Sequence, residues 1–129
     1  MAQIKIYGLR QHLEPVRKVL SDTIHRCVVE ALEYPPDKRA HRFILLDEGD
    51  FYYPMGRTDQ YIIIEISMFE GRSVEAKKHL IRLLFERIHD QLGISQQDIE
   101  ITIFETPRHN WGIRGLPGDE LDLNYQVDV

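Results

Sequence analysis

The sequence has a single cysteine and no long hydrophobic run. Cys27 cannot form an internal disulfide, and it cannot belong to a metal site built from several cysteines. It falls in the apolar stripe of a predicted helix, so we expect a small buried hydrophobic residue without a chemical role. No apolar stretch approaches the roughly 20 residues of a transmembrane helix, so we expect a soluble protein with no membrane partner.

Basic charge is also scarce. Lys and Arg number 16 against 21 Asp and Glu, and the formal net charge is −5. This balance argues against a surface for nucleic acid, but it permits a local basic pocket for a small anion. The opening residues, MAQIKIYGLR, contain neither a basic segment nor a long apolar one, so we expect no secretory signal and a cytoplasmic location.

Metal-ligand patterns are missing as well. The chain has six histidines, yet none is closely spaced with a second ligand beside a cysteine or carboxylate. We therefore expect no metal, and no motif indicates another cofactor.

Strand, helix and strand patterns occur in that order twice along the chain. In the first half, QIKIY alternates, an amphipathic helix follows, and HRFILLDE reads as a strand after Pro35 and Pro36. In the second half, YIIIEISMF is followed by a helix between Ser73 and Gly93, and then by the alternating DIEITIFE. With 129 residues, we expect one domain, 1–129, made of the halves 1–59 and 60–129.

The two halves resemble each other when the sequence is shifted by about sixty residues. The shift places Lys18 on Lys78 and Phe43 on Ile103. Right-handed βαβ crossovers would put both helices on one face of a four-stranded sheet. The predicted fold class is therefore α/β, a two-layer sandwich of two pseudo-repeated βαβ units.

The other face of that sheet is expected to be apolar. Tyr61, Ile63 and Phe69 lie on it in the predicted third strand, and such a surface favours oligomerisation. The tail of the chain, DELDLNYQVDV (119–129), alternates apolar and polar residues. This pattern predicts a late strand along a sheet edge, in this chain or in a neighbouring subunit.

Three stretches of the chain form a recognisable set: FEGRSVEAKKHLIRLL, AQIKIYGLR and HNWGIRG. They resemble the tautomerase superfamily, which includes oxalocrotonate tautomerase, malonate semialdehyde decarboxylase and macrophage migration inhibitory factor. The resemblance covers nearly the whole chain, and it implies two fused βαβ units assembled as a homotrimer. It also implies a small carboxylate or oxo-acid ligand.

The resemblance also implies roles for particular residues. Arg72 matches the arginine that binds a substrate carboxylate, and Arg10 takes the corresponding place in the first half. Arg42 resembles an arginine that handles substrate oxygens, and Trp111 matches an aromatic wall of the active site. Arg114, in the same WGIRG stretch, is a further substrate-binding candidate, and His41 lies near an aspartate position of the decarboxylase branch, where it could shuttle protons.

The chain departs from the family at its start, where the enzymes use an amino-terminal proline as base. This sequence reads MAQIK, and its first proline is Pro15. If Met1 is removed, the amine of Ala2 becomes the candidate catalytic group. Its ordinary pKa is roughly 7.7–8.0, and burial or a neighbouring guanidinium would lower that pKa toward the value a base needs.

The sequence leaves two functions open. One is a tautomerase-like enzyme, an isomerase or related lyase, that isomerises or decarboxylates a small oxo acid. The other is a non-catalytic trimeric module of the same fold that binds a small anion or a partner. Arg72 could be a solvated turn residue, Trp111 a core anchor, and the 48–60 loop either a pocket lid or an interface plug.

Overall fold

The computed structural model describes every residue from Met1 to Val129. Its main sheet has the strand order β2-β1-β3-β4. The strands are β1 (Ala2–Leu9), β2 (His41–Leu46), β3 (Ile62–Phe69) and β4 (Ile99–Thr106). The helices are α1 (Arg10–Leu13), α2 (Arg17–Leu32) and α3 (Val74–Leu92), and a small hairpin pairs β5 (Gly112–Ile113) with β6 (Leu116–Pro117).

The duplication expected from the sequence is present in the topology. β1 pairs with β2 in parallel, and β3 pairs with β4 in parallel. The two units meet where β1 and β3 run antiparallel at the centre of the sheet. Ala2–Leu9 and Ile62–Phe69 are offset by sixty residues, which is the shift that aligned the two halves.

The core lies between one sheet face and the two long helices. Every second residue of β1 and β3 faces α2 and α3, as the period of a strand requires. Completely buried members of this core include Ile6, Leu20, Ile24, Ile64, Ile66, Leu80 and Leu84. The prediction of a two-layer α/β sandwich is therefore confirmed.

Helix α3 begins and ends where its sequence predicts. The Ser73 hydroxyl accepts a hydrogen bond from the Ala76 N–H at 3.1 Å, which caps the first turn. Gly93 ends the helix with a left-handed φ of 71°. None of the helices combines the length and apolar character that a membrane crossing needs.

The sheet face away from the helices exposes less apolar surface than expected. Tyr61 and Phe69 are only 3% and 0% exposed because other parts of the chain cover them, and Ile63 is half-buried. Phe51 stacks on Tyr61, and Trp111 packs edge-on against Phe69. The expectation of a bare apolar stripe on β3 was therefore wrong at both ends of the strand.

The tail does not form the strand that its alternation predicts. Residues 121–129 pair with no strand of this chain. The tail lies instead against the start of β1 and the turn after β3, where the Val129 carbonyl accepts a hydrogen bond from Ser73 at 3.1 Å. Side-chain contacts there replace the backbone ladder that an edge strand would make.

Candidate functional site

The topology brings four separate segments to one edge of the sheet. β1 is antiparallel to β3 and parallel to β2, so β1 and β2 start at the edge where β3 and β4 end. Met1 precedes β1, Lys38 precedes β2, Arg72 follows β3 and Arg108 follows β4. This edge is called the amine edge below.

The terminal amine of Met1 lies partly buried at the amine edge. It donates a hydrogen bond to the Tyr125 hydroxyl, and the Met1 carbonyl accepts one from the Phe69 N–H at 3.2 Å. Burial, with the positive charges of Arg72, Arg108 and Lys38, lowers the pKa of this amine from 8.0 to about 4. The amine is therefore neutral at pH 7, and its nitrogen lone pair can accept a proton.

Arg72 is a buried cation with unused hydrogen-bond donors. Its side chain is 4% exposed, and Nη1 donates to the Phe69 carbonyl at 3.3 Å, while Nε and Nη2 have no partner. Desolvation lowers the pKa of this guanidinium. The nearby Glu105 carboxylate is already bound to Lys77 at 2.7 Å. Such an uncompensated guanidinium fits an external carboxylate.

The turn before Arg72 depends on glycine. Gly71 has a φ of 134°, which side chains of L-residues rarely adopt. A Cβ on Gly71 would also lie 3.0 Å from the Val127 side chain. The sequence Gly71-Arg72-Ser73 therefore turns the chain, presents the guanidinium to the amine edge and caps α3.

An aromatic wall and a second arginine stand beside Arg72. Trp111 meets Phe69 edge-on with 5.1 Å between the ring centroids. The Arg108 guanidinium lies 5.5 Å from the Phe69 ring centroid and donates to the carbonyls of Gly118 and Leu121 at 3.0–3.1 Å. These bonds hold the hairpin and the start of the tail against the site.

Two tyrosines surround the chain start. Tyr34 accepts a hydrogen bond from the Ala2 N–H at 3.2 Å and donates to the Met1 sulfur at 3.3 Å. Its ring meets the Tyr125 ring edge-on at 5.3 Å, and the Lys38 ammonium lies 5.8 Å from the Tyr125 ring centroid. Burial raises the pKa of Tyr34 to about 12 and also raises the pKa of Tyr125.

Of the site residues expected from the sequence, Ala2, Arg72 and Trp111 lie at the amine edge. Arg10 follows β1 and so lies at the opposite edge, where its Nε is 3.5 Å from Asp47. Arg42 is exposed on the open sheet face, and its Nη2 donates to Gln3 at 3.3 Å. A single chain therefore does not bring Arg10 or Arg42 to Arg72.

Neither His41 nor Arg114 forms a hydrogen bond with the terminal amine. His41 Nδ1 is 2.7 Å from the Ser21 hydroxyl, and its ring meets His25 edge-on at 5.9 Å, so it belongs to the layer under α2. Burial, His25 and Arg39 lower the pKa of His41 to about 4. Arg114 is exposed on the β5–β6 hairpin with a φ of 52°.

The 48–60 loop lies at the edge opposite the amine edge, because it joins the end of β2 to the start of β3. Buried Asp98 anchors it by accepting hydrogen bonds from the Thr58 N–H at 2.7 Å and the Thr58 hydroxyl at 2.6 Å. Phe51 and Tyr53 of the loop pack against Tyr61. Within one chain, the loop cannot act as a lid over Arg72.

Sequence reasoning missed four residues that face the chain start: Tyr34, Lys38, Arg108 and Tyr125. Lys38 and Arg108 could have been predicted from the sequence. Lys38 precedes β2 and Arg108 follows β4, and the antiparallel pairing of β1 with β3 brings these two strand ends to the amine edge. Tyr34 and Tyr125 carried no such signal. Together these groups provide a neutral amine, free guanidinium donors and a phenol, which suits proton transfer on a small anion.

Comparisons with known proteins identify relatives of this chain. A family model described as "Tautomerase enzyme" matches residues 38–114. A probable tautomerase, YusQ of Bacillus subtilis (strain 168), is 30% identical over 97 residues, which are 71% of this chain and 76% of that protein. A 2-hydroxymuconate tautomerase of Comamonas testosteroni is 35% identical over 57 residues, covering 44% of this chain and 90% of that protein.

Two solved structures show a similar fold. A native fused 4-OT superimposes with a TM-score of 0.83 at 18% identity, covering 92% of this chain and 98% of that one. Malonate semialdehyde decarboxylase superimposes with a TM-score of 0.80 at 21% identity, covering 92% and 99% of the two chains.

Proposed function

The chain belongs to the tautomerase family, and from that premise we propose that it tautomerises a small oxo acid at the amine edge. One observation carries the proposal. A buried guanidinium with two unpartnered nitrogens, that of Arg72, lies beside a terminal amine whose pKa is lowered to about 4. An oxo acid supplies what this pair lacks, which is a carboxylate for the guanidinium and an acidic C–H for the amine.

In the proposed reaction, the substrate carboxylate binds Nε and Nη2 of Arg72, whose planar fork suits two parallel hydrogen bonds. The neutral amine then removes a proton from the carbon next to the keto group, and the negative charge moves to the keto oxygen. The charges of Arg72, Arg108 and Lys38 stabilise that enolate, and the buried setting strengthens their effect.

From the sequence, we expect Ala2 to carry the amine if Met1 is removed. In the structure, the amine at the site is that of Met1, and the Ala2 nitrogen contacts the Tyr34 hydroxyl. The lowered pKa and the contact with Tyr125 are those of the Met1 amine, so the proposal is made for the chain that keeps Met1. Intact-mass measurement with sequencing of the first peptide identifies which residue carries the amine.

We propose proton transfer rather than decarboxylation because of the position of His41. This residue was the expected proton shuttle, but its contacts are with Ser21 and His25 rather than with the amine edge. Proton transfer between carbon and oxygen needs only the groups that are present beside Met1.

We also propose that the protein is a homo-oligomer, with a trimer as the expected state. The exposed sheet face carries Phe104, which is 48% exposed, together with half-buried Ile63. Related fused 4-OT structures are described as symmetric or asymmetric trimers. Arg42 is exposed on the same sheet face, so a subunit contact through this face would include it. Sedimentation equilibrium at micromolar concentration tests this, and a stable monomer contradicts it.

The function is tested with phenylpyruvate and 2-hydroxymuconate as substrates. We expect turnover above the buffer rate for at least one of them and a loss of about 2–4 kcal/mol of transition-state stabilisation in Arg72→Ala. Arg82→Ala, at an exposed arginine on α3, is the control and should retain activity. Saturable binding of a dicarboxylate without any turnover would instead identify a non-catalytic anion binder.

A further inference from the structure

Tyr125 is the polar group in direct contact with the terminal amine, although the reaction described above assigns it no role. It comes from the tail, and the amine donates a hydrogen bond to its hydroxyl. Its ring is held between the Tyr34 ring, at 5.3 Å, and the Lys38 ammonium, at 5.8 Å from the centroid. Contacts on two sides of the ring fix the position of the hydroxyl.

The proposed reaction also needs an acid, because the enolate oxygen must receive a proton. Arg72 and Arg108 cannot supply one at neutral pH, since a guanidinium keeps its protons. Tyr34 uses its hydroxyl proton in the bond to the Met1 sulfur. The Tyr125 hydroxyl accepts from the amine and has no acceptor of its own within the chain, so its proton is free for a ligand.

We propose that Tyr125 is a catalytic residue, a general acid that protonates the substrate oxygen while the terminal amine deprotonates carbon. This inference rests on the proposed function. The C–H bond breaks as the amine takes the proton, and the electron pair of that C–H bond forms the C=C bond. The carbonyl electron pair moves to oxygen, which takes the phenolic proton. The products are the enol, an ammonium group and a phenolate.

The hydrogen bond between the Met1 amine and the Tyr125 hydroxyl gives the site a route back to its starting state. After the enol leaves, the ammonium of Met1 donates its extra proton directly to the Tyr125 phenolate through that same contact. The amine and the phenol return to their starting states without water or any other acid. Net transfer is one proton from carbon to oxygen.

The tail gives this assignment a structural basis. The Ser73 hydroxyl binds the Val129 carbonyl, and the Val127 side chain lies close to Gly71, so residues on the far side of Tyr125 are attached to the Arg72 turn. The contact between the tail and the Gly71 turn therefore fixes the position of Tyr125 relative to Arg72.

The test compares Tyr125→Phe with the full-length wild-type protein, using the conversion of phenylpyruvate from its keto form to its enol form, in which the neutral amine is the base and the phenol is the acid. Phenylalanine keeps the ring contacts with Tyr34 and Lys38 and removes only the hydroxyl. We expect kcat to fall about 100-fold, within the range for losing a general acid, while KM stays within about twofold because Arg72 is intact. Tyr52→Phe, at a 91% exposed tyrosine, is the matched control and should keep the wild-type kcat.

A second variant separates chemistry from loosening of the tail. Val127→Ala weakens the contact with the Gly71 turn but keeps the phenol, so it should raise KM more than it lowers kcat. If Val127→Ala reproduces the kcat loss of Tyr125→Phe, the role of Tyr125 is structural and the inference is wrong.

The pH profile supplies a further readout. Arg72, Arg108, Lys38, Arg114 and Tyr34 all face Tyr125, and burial raises the pKa of its phenol above 10.0. In the wild type, kcat should decline as the pH rises through that pKa, and Tyr125→Phe should lack this decline. An active wild type with an equally active Tyr125→Phe overturns this inference alone, whereas a wild type without turnover overturns the proposed function as well.

Discussion

The hydroxyl of Tyr125 and the terminal amine of Met1 form a hydrogen bond across 124 positions of the sequence. The two ends of the chain thus meet at one site, beside the buried guanidinium of Arg72. Because the hydroxyl in this contact comes from the tail, a substitution in the tail should alter the basicity of the Met1 amine while the sequence of β1 stays unchanged.

Arg72 is expected to reduce stability while it supports binding. A buried guanidinium without a carboxylate carries an uncompensated desolvation cost. Arg72→Met should therefore be at least as stable as the wild type toward urea, by up to about 2 kcal/mol. Succinate should raise the melting temperature of the wild type but not that of the variant. A marked loss of stability in Arg72→Met would contradict this account.

Gly118 is expected to be required for the wall beside Arg72. A Cβ at Gly118 would lie 2.5 Å from the Arg108 carbonyl oxygen and 3.2 Å from the Phe69 ring. Gly118→Ala should therefore cost about 1–3 kcal/mol of unfolding free energy and reduce anion binding. Gly112→Ala is the control on the same hairpin, since its Cβ meets nothing within 4 Å. Equal stability of the two variants in urea would refute the packing argument.

The pH dependence of activity should report the shifted amine. The kcat/KM of the free enzyme should fall only as the pH drops toward about 4, because the lone pair is lost when the amine takes up a proton. Lys38→Met removes one of the charges that lower this pKa, so the acidic limb of the profile of kcat/KM against pH should move to higher pH. Lys78→Met, at an exposed lysine, should leave it in place. A wild-type limb near pH 8 would show that the amine is not shifted.

Stability should fall on acidification because of His41. Its pKa is about 4 in the folded chain against an ordinary 6.5, so the unfolded chain binds protons more readily. The stabilisation is complete above pH 6.5 and is lost as the pH falls toward 4. His41→Asn should remove about 2 kcal/mol of this pH dependence, an amount reduced for partial solvent access. The groups around the ring are Ser21, His25, Arg39 and Asp22.

Urea unfolding at pH 4.5 and 7 measures that difference. Met1 contributes in the same direction, since its amine pKa is also lowered, so the comparison between His41→Asn and the wild type isolates the histidine. Identical pH dependence in the two proteins would show that His41 titrates normally.

The fold could be predicted from the sequence because short-range patterns mark its strands and helices. The alternation in Ala2–Leu9 and Ile62–Phe69, the cap at Ser73 and the stop at Gly93 are all short-range features, and the shift of sixty residues linked the halves. Arg72 was found in the same way, since a strand-to-helix turn marks it.

The rest of the site depends on contacts that no local pattern contains. The tail alternates like a strand, but its Tyr125 lies against Tyr34 and Met1 instead of pairing with a sheet edge. His41 opens a strand as predicted, yet its register with Ile4 turns it toward α2 and away from the open face. The directions of the strands place Arg10 at the opposite edge from Arg72 and Arg42 on the open sheet face. A match to a family motif assigns a residue a role, but it does not give the distance between two such residues in this chain.

Acetylation of the terminal amine shows whether this amine is the catalytic base. Because this amine is neutral at pH 7, limited acetic anhydride can modify it, and peptide mass spectrometry confirms that the acetyl group is on Met1. The account predicts that the singly acetylated protein loses tautomerase activity toward phenylpyruvate yet keeps its fold by circular dichroism. Undiminished turnover in fully acetylated protein would contradict a mechanism based on the terminal amine.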